Sequence, residues 1–224
     1  MTSLSSVELD LLKDRISGWA ADIGFDGIGV SDTDLSSQES RLNSWIKKGW
    51  HGEMEYMANN LDKRLNPQTL HSNTLRIINV RLNYKSESIK TSEETLNNSA
   101  AAYISRYALG RDYHKLMRKK LQSLANKISD QIGPFKYRAF VDSAPVMEKP
   151  LAAAAGLGWV GKHTNLINPQ LGSWFFLGEL YTDLPLAIDH PSPNHCGTCD
   201  KCQHACPTGA LDEAYTLDAR KCIS

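Results

Sequence analysis

The residues best suited to chemistry are five cysteines, which all lie between positions 196 and 222. Four of them form the run Cys196-x2-Cys199-x2-Cys202-x3-Cys206, which is followed at once by proline. This spacing is typical of ferredoxin-type [4Fe–4S] sites, because short spacers let successive thiolates surround one compact cluster. Structural zinc is the alternative, but its Cys-x2-Cys pairs usually lie ~12 or more residues apart. The run therefore favours an iron–sulfur cluster and electron transfer.

The number of cysteines raises a question about the ligands. In two-cluster ferredoxins the fourth cysteine of such a run binds the other cluster, so that Cys206 would need three partners, of which Cys222 could be one. Two clusters need about eight cysteines, and this chain has five. Either one cluster is closed by Cys206 or Cys222, or the sequence stops short of the remaining ligands. The end of the chain soon after Cys222 favours truncation.

Two further stretches are unusual for a scaffold. In Val141-Asp-Ser-Ala-Pro-Val-Met-Glu-Lys149, an acid follows a predicted strand and precedes a predicted helix, a position where open α/β sheets bind ligands. The alternative is that Asp142 caps the helix. In Gly156-Leu-Gly-Trp-Val-Gly-Lys-His-Thr-Asn165, three glycines would let the backbone approach a flat or bulky ligand. This second stretch matches neither a Walker loop nor a Rossmann fingerprint.

The elements that must position these residues follow from hydrophobic spacing and from start and stop signals. The pattern predicts, in chain order, a helix from Ser5 or Ser6 to Gly24, a strand over 27–30, a helix over 38–49, a strand over 76–84, a loop over 85–99, a strand over 101–107, a basic helix through Met117 and Ile128, a strand over 137–141, a helix over 147–155 and a buried strand over 174–181.

The order of these elements predicts the domain organisation. Helices and strands alternate through an α/β (α+β) domain over residues 1–185, and a ferredoxin-like iron–sulfur segment follows over residues 186–224. The amino terminus has no signal or transit composition, and no apolar run approaches the ~20 residues that span a bilayer. We therefore expect a soluble cytoplasmic protein that does not enter the membrane.

The charge distribution is uneven although the total is balanced. The chain has 25 Lys and Arg against 25 Asp and Glu, so it has no general affinity for polyanions. Between Arg106 and Lys162, however, eleven basic residues face four acidic ones. The middle of the chain could present a basic face to nucleic acid, or only a solvated helix surface.

These motifs together resemble the epoxyqueuosine reductase family. The resemblance is carried by the stretches around Asp142 and Gly156, by Gly172-Ser-Trp-Phe-Phe-Leu-Gly-Glu179, by His51-Gly-Glu-Met-Glu-Tyr-Met57 with Lys63-Arg64, by Arg106-Tyr-Ala-Leu-Gly-Arg-Asp-Tyr-His114, and by the cysteine run. It implies a fold similar to that of corrinoid reductive dehalogenases. It also implies a monomer that reduces the epoxide of epoxyqueuosine at the tRNA wobble position, with base-off cobalamin, two [4Fe–4S] clusters and an external electron donor.

The resemblance also assigns roles to residues. Asp142 matches the proton donor and a cofactor contact, and burial against an apolar corrin would favour its protonated form. Tyr113 and His114 match residues that line the same site; the alternative is a surface pair in the first turn of a helix. Lys149 stands where relatives commonly carry arginine. The remaining cobalamin contacts that the resemblance implies are Arg64, in a loop, and Ile167, Asn168, Gly178 and Ser224.

For the metal centres, the resemblance assigns Cys196, Cys199 and Cys202 to the first cluster and Cys206 with Cys222 to the second. Members of the family also continue past the end of this sequence, with more cysteines and a helical-repeat region. The chain as given is therefore expected to bind iron incompletely and to turn over little. Two other classes remain open, a corrinoid reductive dehalogenase and a simple ferredoxin-type electron carrier, although the latter leaves residues 1–185 without a purpose.

Overall fold

The computed structural model describes residues 4–85 and 89–223. Its helices are α1 Ser6–Ile23, α2 Ser36–Lys47, α3 Glu55–Ala58, α4 Leu61–Leu65, α5 Pro67–Leu70, α6 Ile89–Leu96, α7 Tyr113–Ile132, α8 Glu148–Ala154 and α9 Lys201–His204, with a 3-10 turn at Arg106–Ala108. Its strands are β1 Gly27–Ser31, β2 Arg76–Asn83, β3 Tyr137–Phe140, β4 Trp159–Val160, β5 Leu166–Ile167 and β6 Phe175–Thr182.

A four-stranded sheet in the order β1-β2-β6-β3 forms the centre of the molecule. Every neighbouring pair is antiparallel, and β2 pairs with β6 over all eight of its residues, from Arg76 opposite Thr182 to Asn83 opposite Phe175. The arrangement is therefore α+β within the predicted class. The rule for the carboxyl ends of parallel strands, which we used for Asp142, does not apply to an antiparallel sheet.

Helices cover both faces of this sheet. On one face, α1 and α7 bury Leu12, Ile16, Leu121 and Leu124 against β1, β2 and β6. Gly178 in β6 makes this packing possible, because a Cβ atom there would lie 2.8 Å from Met117 Cε. On the other face, α8 buries Leu151, Ala152 and their neighbours against the second side of the same strands. Side chains of β6 therefore alternate between the α7 layer and the α8 layer.

Most predicted elements are confirmed within a few residues. In α1, Ser5 accepts a hydrogen bond from the Glu8 amide, Glu8 bonds back to Ser5, and Gly24 ends the helix with φ of 90°. This is the capping box and left-handed terminus that the sequence predicts. Helices α2, α7 and α8 and strands β1, β2, β3 and β6 also lie where hydrophobic spacing places them.

Two predictions of secondary structure are wrong. Residues 101–105 form no strand and the turn Arg106–Ala108 is a 3-10 helix, since every side chain from 101 to 105 is exposed and none faces a core. The predicted loop over 85–99 contains α6, because the exposed Glu93 and Glu94 are good helix formers. Residues 86–88 of the predicted loop lie outside the described residues. Polar composition alone does not separate an exposed helix from a loop.

Residues 194–222, here called the cysteine segment, contain one helix, α9, and otherwise turns. Side chains of α2 hold it: the Trp45 indole N–H donates to the Leu217 carbonyl at 2.6 Å, and Lys48 pairs with Glu213 at 3.1 Å. The Ala219 amide also donates to the Trp50 carbonyl at 2.8 Å. Within the described ranges, no helix is both long and apolar enough to cross a membrane.

Candidate active site

The three residues predicted to be catalytic lie together. Asp112 caps α7 and accepts from the His114 amide at 3.0 Å, which places Tyr113 and His114 in the first turn. The Tyr113 hydroxyl donates to Asp142 Oδ2, and His114 Nε2 lies 2.8 Å from Asp142 Oδ1. Each Asp142 oxygen therefore has a partner on α7, and the interpretation of Tyr113 and His114 as a mere surface pair is wrong.

The alternative role of Asp142 as a helix cap is also wrong. Helix α8 begins six residues further on, at Glu148, and its N-cap is Met147. The Asp142 side chain is bonded instead by Tyr113 and His114, with a side-chain exposure of 37%. The residue is thus held by a side-chain network and remains open to a ligand, although it is not buried as expected.

The His114 ring bridges two carboxyl groups. His114 Nδ1 lies 2.8 Å from Asp112 Oδ1, so that both ring nitrogens face a carboxyl oxygen. A neutral imidazole has one N–H, so the second contact requires a proton on the ring or on a carboxyl group. The hydrogen bond from His114 holds the pKa of Asp112 below its usual range.

Tyr113 is held as a phenol. Burial, together with its hydrogen bond to Asp142, raises its pKa well above the usual value. Its ring stacks between His114, at a centroid distance of 4.1 Å, and Phe176 of β6, at 4.0 Å and an interplanar angle of 6°. The stacking fixes the hydroxyl toward Asp142, so that Tyr113 acts as a hydrogen-bond donor rather than as an acid.

A pocket of about 210 Å³ opens beside this network. Its lining includes Tyr84, Asp142, Glu148, Lys149 and Phe176. A larger pocket of about 400 Å³ lies between α1 and β1 and contains none of the predicted site residues. The smaller pocket, which combines aromatic rings with acids, is the candidate active site.

Two carboxyl groups of this region were missed by sequence reasoning. Glu179 lies in the middle of β6 with no exposed surface, and Glu148 begins α8 and lines the pocket. Burial raises the pKa of both groups, Glu179 strongly, and each is raised further by nearby Asp142. The signal that could have revealed Glu179 is a single carboxylate inside an otherwise apolar strand.

Arg64 differs from its prediction. It lies in α4 rather than in a loop, and it is 7% exposed. Burial lowers its pKa, while Tyr56 and Glu148 raise it, which places its charge near the acidic side of the pocket. Its Nε atom has no hydrogen-bond partner among the described residues. A buried guanidinium with an unused donor is suited to bind an acceptor on a ligand.

The other predicted cofactor contacts serve structural purposes. The Asn168 side chain accepts from the amides of Gln170 and Leu171 and donates to the Leu157 carbonyl. Ile167 pairs with Trp159 between β5 and β4. Gly178 packs against α7, as described above. Contacts of these residues with a cofactor remain a prediction, and Ser224 lies outside the described residues.

The glycines of the 156–165 stretch approach the protein's own backbone. A Cβ atom at Gly158 would lie 2.2 Å from the Ile167 carbonyl oxygen, and one at Gly156 would lie 2.7 Å from that of His190. Their absence of a side chain is therefore explained by internal packing and not by an approaching ligand. Nearby, Lys149 Nζ donates to Asn165 Oδ1 at 3.0 Å, which ties α8 to this stretch.

The cysteine segment carries five thiols, and no disulfide bond joins them. The Trp159 indole N–H donates to Cys196 Sγ at 3.4 Å, and a hydrogen bond from the Thr208 backbone lowers the pKa of Cys206. Over residues 4–85 and 89–223, no three Cys, His, Asp or Glu side chains converge as a metal site. The donor atoms suit iron–sulfur chemistry, but their present arrangement does not form a cluster cage.

Comparisons with known proteins identify relatives of this chain. The family model "Epoxyqueuosine reductase QueG, DUF1730" matches residues 64–143. The epoxyqueuosine reductase of Xanthomonas campestris pv. campestris is 51% identical over 94% of the chain, and that of Escherichia coli K12 is 48% identical over 97%. The chain spans 59% and 57% of the lengths of these two relatives.

Solved structures agree with the sequence matches. An epoxyqueuosine reductase in complex with an epoxyqueuosine-modified tRNA-Tyr stem loop superposes with a TM-score of 0.83 at 29% identity, over 96% of this chain and 56% of that one. A reductive dehalogenase associated with B12-dependent dehalogenation gives a TM-score of 0.62 at 16% identity, over 99% of this chain and 30% of that one, which shows a shared fold alone. By sequence and by fold, the chain is similar to epoxyqueuosine reductases over nearly its whole length, and it spans less than two thirds of theirs.

Proposed function

We propose that the protein, completed to the length of its relatives, reduces epoxyqueuosine in tRNA to queuosine. The observation that carries the proposal is the placement of Asp142 at the pocket, with one oxygen bonded by Tyr113 and the other by His114. Relatives about 50% identical are named for this reaction. A further relative, from Bacillus subtilis, has a catalytic aspartate loop that is swung out of its active site.

The pocket residues supply protons to the reaction. A two-electron reduction of an epoxide consumes two protons, and its ring opening leaves an oxygen anion that must be protonated. Asp142 gives the first proton to that oxygen, because it borders the pocket and is held there by its contact with His114. Tyr113 and His114 orient the carboxyl group through their two hydrogen bonds, which limits the positions from which it donates.

In this proposal base-off cobalamin would supply the two-electron chemistry at the epoxide, and iron–sulfur clusters would pass it electrons from an external donor. Arg64 fits such a cofactor, since its buried Nε needs an acceptor and the side-chain amides of a corrin provide one. Cys196, Cys199 and Cys202 would hold one cluster and Cys206 and Cys222 another, on residues 186–224, while residues 1–185 carry the cobalamin.

A basic surface next to the pocket fits tRNA. Lys115, Arg118 and Lys119 are exposed on the first turns of α7, directly after His114. Arg118 Nη2 also donates to Ser143 Oγ at 2.8 Å, which fixes a positive charge beside Asp142. Phosphate contacts of this kind position an RNA stem and weaken with salt. The protein acts in this proposal as a cytoplasmic monomer.

The test uses the chain completed with the part of the Xanthomonas campestris relative that it does not match. This enzyme is reconstituted without oxygen with iron, sulfide and cobalamin, and is assayed on epoxyqueuosine-containing tRNA. We expect Asp142→Asn to lower kcat by about 10²–10⁴-fold while cobalamin absorbance is retained, because the donor is lost and the fold is kept. The matched control is Asp130→Asn, an exposed aspartate at the far end of α7.

Two results would contradict the proposal. Reconstituted enzyme that binds cobalamin and tRNA but forms no queuosine would exclude this substrate. Queuosine formation by Asp142→Asn at the rate of Asp130→Asn would keep the reaction but remove Asp142 from it.

A further inference from the structure

The proposed reaction needs a second proton for which the Asp142 network does not account. A carboxyl group gives one proton, and His114, which contacts Asp142 at 2.8 Å, does not line the pocket. The tyrosines of the pocket are poor sources, because burial raises the pKa of Tyr113 and Tyr84. Lys149 is an ammonium group and a weaker acid than a carboxyl. Among the described residues that line the pocket, the remaining acid is Glu148.

Glu148 lies where such a proton is needed. It borders the same pocket as Asp142 and belongs to α8, which packs on β6. The charged and titratable groups that act on it from the surrounding elements are Asp142 after β3, Glu179 on β6, Arg64 on α4, Lys149 on α8 and Tyr113 on α7. Three carboxyl groups therefore face two cations.

The surroundings of the buried Glu179 carboxyl group favour its neutral form. It is 0% exposed, and neither of its carboxyl oxygens has a hydrogen-bond partner among the described residues. Directly opposite on β2 is Asn79, whose Nδ2 is committed to the Ile77 carbonyl and Ser31, and whose Oδ1 also lacks a donor. An ionised Glu179 would set acceptor against acceptor in the core. A neutral Glu179 supplies the missing donor.

We propose that Glu148 supplies the second proton of each turnover and that Glu179, buried in β6 close to it, stays a neutral acid. The proposal rests on the proposed function. The external reductant provides two electrons, and both C–O bonds of the epoxide break. The oxygen takes one proton from the Asp142 carboxyl and one from the Glu148 carboxyl and leaves as water, while a double bond forms between the two ring carbons. Both carboxylates recover their protons from solvent when the product leaves. Glu179 does not line the pocket and takes no part in the transfer.

The first experiment measures protonation without turnover. A carboxyl group whose pKa is raised on folding contributes stability that is fully present below its unfolded pKa of about 4.3 and is lost as pH rises toward the folded value. We expect the urea midpoint of the wild-type chain to fall between pH 5 and pH 8. Glu179→Gln, a neutral isostere, removes most of that fall, while Glu94→Gln, an exposed glutamate of α6, leaves it unchanged.

The infrared spectrum gives a second measure that does not depend on unfolding. A neutral Glu179 contributes the band of a protonated carboxyl at neutral pH, and Glu179→Gln removes this band. Equal pH dependence of unfolding in wild type and Glu179→Gln, or the absence of the band from wild type at neutral pH, would overturn the neutral assignment. If Glu179→Gln does not fold, the band in wild type and its loss on raising the pH decide the question.

The second experiment measures turnover of the reconstituted enzyme. We expect Glu148→Gln to lower kcat at least tenfold at pH 8 with KM for tRNA unchanged, because proton delivery then depends on the buffer. Its kcat should rise with buffer concentration and at acidic pH, whereas wild type and Glu94→Gln should not respond to buffer concentration. A Glu148→Gln enzyme with wild-type kcat and no buffer dependence would overturn the role of Glu148. An inactive wild type would instead count against the proposed function, and the unfolding experiment would still decide the protonation of Glu179.

Discussion

The pocket and the cysteine segment differ in what holds their side chains. Asp142, Tyr113 and His114 are bonded to one another on elements whose inner faces form the core of the sheet and α7. The cysteine segment has one four-residue helix, and hydrogen bonds to α2 and to Trp159 attach it to the rest of the molecule. The pocket is organised by the fold itself, whereas the thiols stand near one another in sequence without forming a cage.

This difference has a physical cause. Apolar burial on both faces of the sheet offsets the conformational entropy that a fixed backbone loses. Polar side chains attached to that backbone are therefore held in defined positions. Residues 194–222 contribute one buried apolar side chain, Ala210, so turns and single hydrogen bonds must position the cysteines. In such a segment, metal binding supplies folding free energy that the core does not. We therefore expect substitutions in the two regions to have separate effects.

The largest expected effect is on iron. Cys202→Ser should lower the iron content of the reconstituted chain by more than half, because a hydroxyl does not replace a thiolate ligand. The free energy of unfolding in the absence of iron should change by less than ~0.5 kcal/mol, as for other surface substitutions. Iron analysis and urea unfolding measure the two quantities. His204→Asn in the same helix is the control, and equal iron loss in this control would refute the assignment of the thiols.

The next effect is on the core. Met117→Ala should lower the free energy of unfolding by about 2–5 kcal/mol, because Met117 is fully buried against Gly178 and its removal leaves a cavity. The adjacent Leu116→Ala should cost less than ~1 kcal/mol, since Leu116 is 45% exposed. Urea unfolding at constant pH measures both. Similar losses in the two variants would show that α7 does not pack on β6 as described.

The smallest effect is on the attachment between the two regions. Trp45→Phe removes the indole donor to the Leu217 carbonyl and should weaken docking of the cysteine segment by about 0.5–1.5 kcal/mol. Hydrogen exchange should accelerate over residues 213–222, while the amides of β2 and β6 keep their protection. Faster exchange in those strands as well would mean that the segment and the sheet unfold as one unit.

Much of the fold could be predicted from local signals. The capping box at Ser5 and Glu8, the terminal Gly24 and the hydrophobic spacing of α7 are read within one stretch of chain, and each was confirmed. The antiparallel strand order could not be read in this way, because pairing of β2 with β6 joins residues about one hundred positions apart. The helix α6 was missed because polar residues make up most of its sequence.

Some residues of the candidate site could also be predicted from local motifs, whereas others depend on the tertiary structure. Asp142, Tyr113 and His114 were found from motifs, and the structure brings them together. Glu148 and Glu179 were not found, because the pKa of a glutamate depends on its burial and on the charges around it, which the sequence does not show. Arg64 was identified but misplaced, since a buried guanidinium in a helix and an exposed one in a loop have the same sequence.

The sequence by itself determined which chemical groups the chain possesses, such as the thiols of the cysteine run. It also contains the motifs that resemble those of epoxyqueuosine reductases. The tertiary structure alone decided which of these groups meet. It placed Glu179 opposite Asn79 in the core, joined Asp142 to the first turn of α7, and filled the space beside Gly158 with the chain's own backbone. Proximity between distant residues, and the loss of solvent that changes their protonation, arise only when the layers pack.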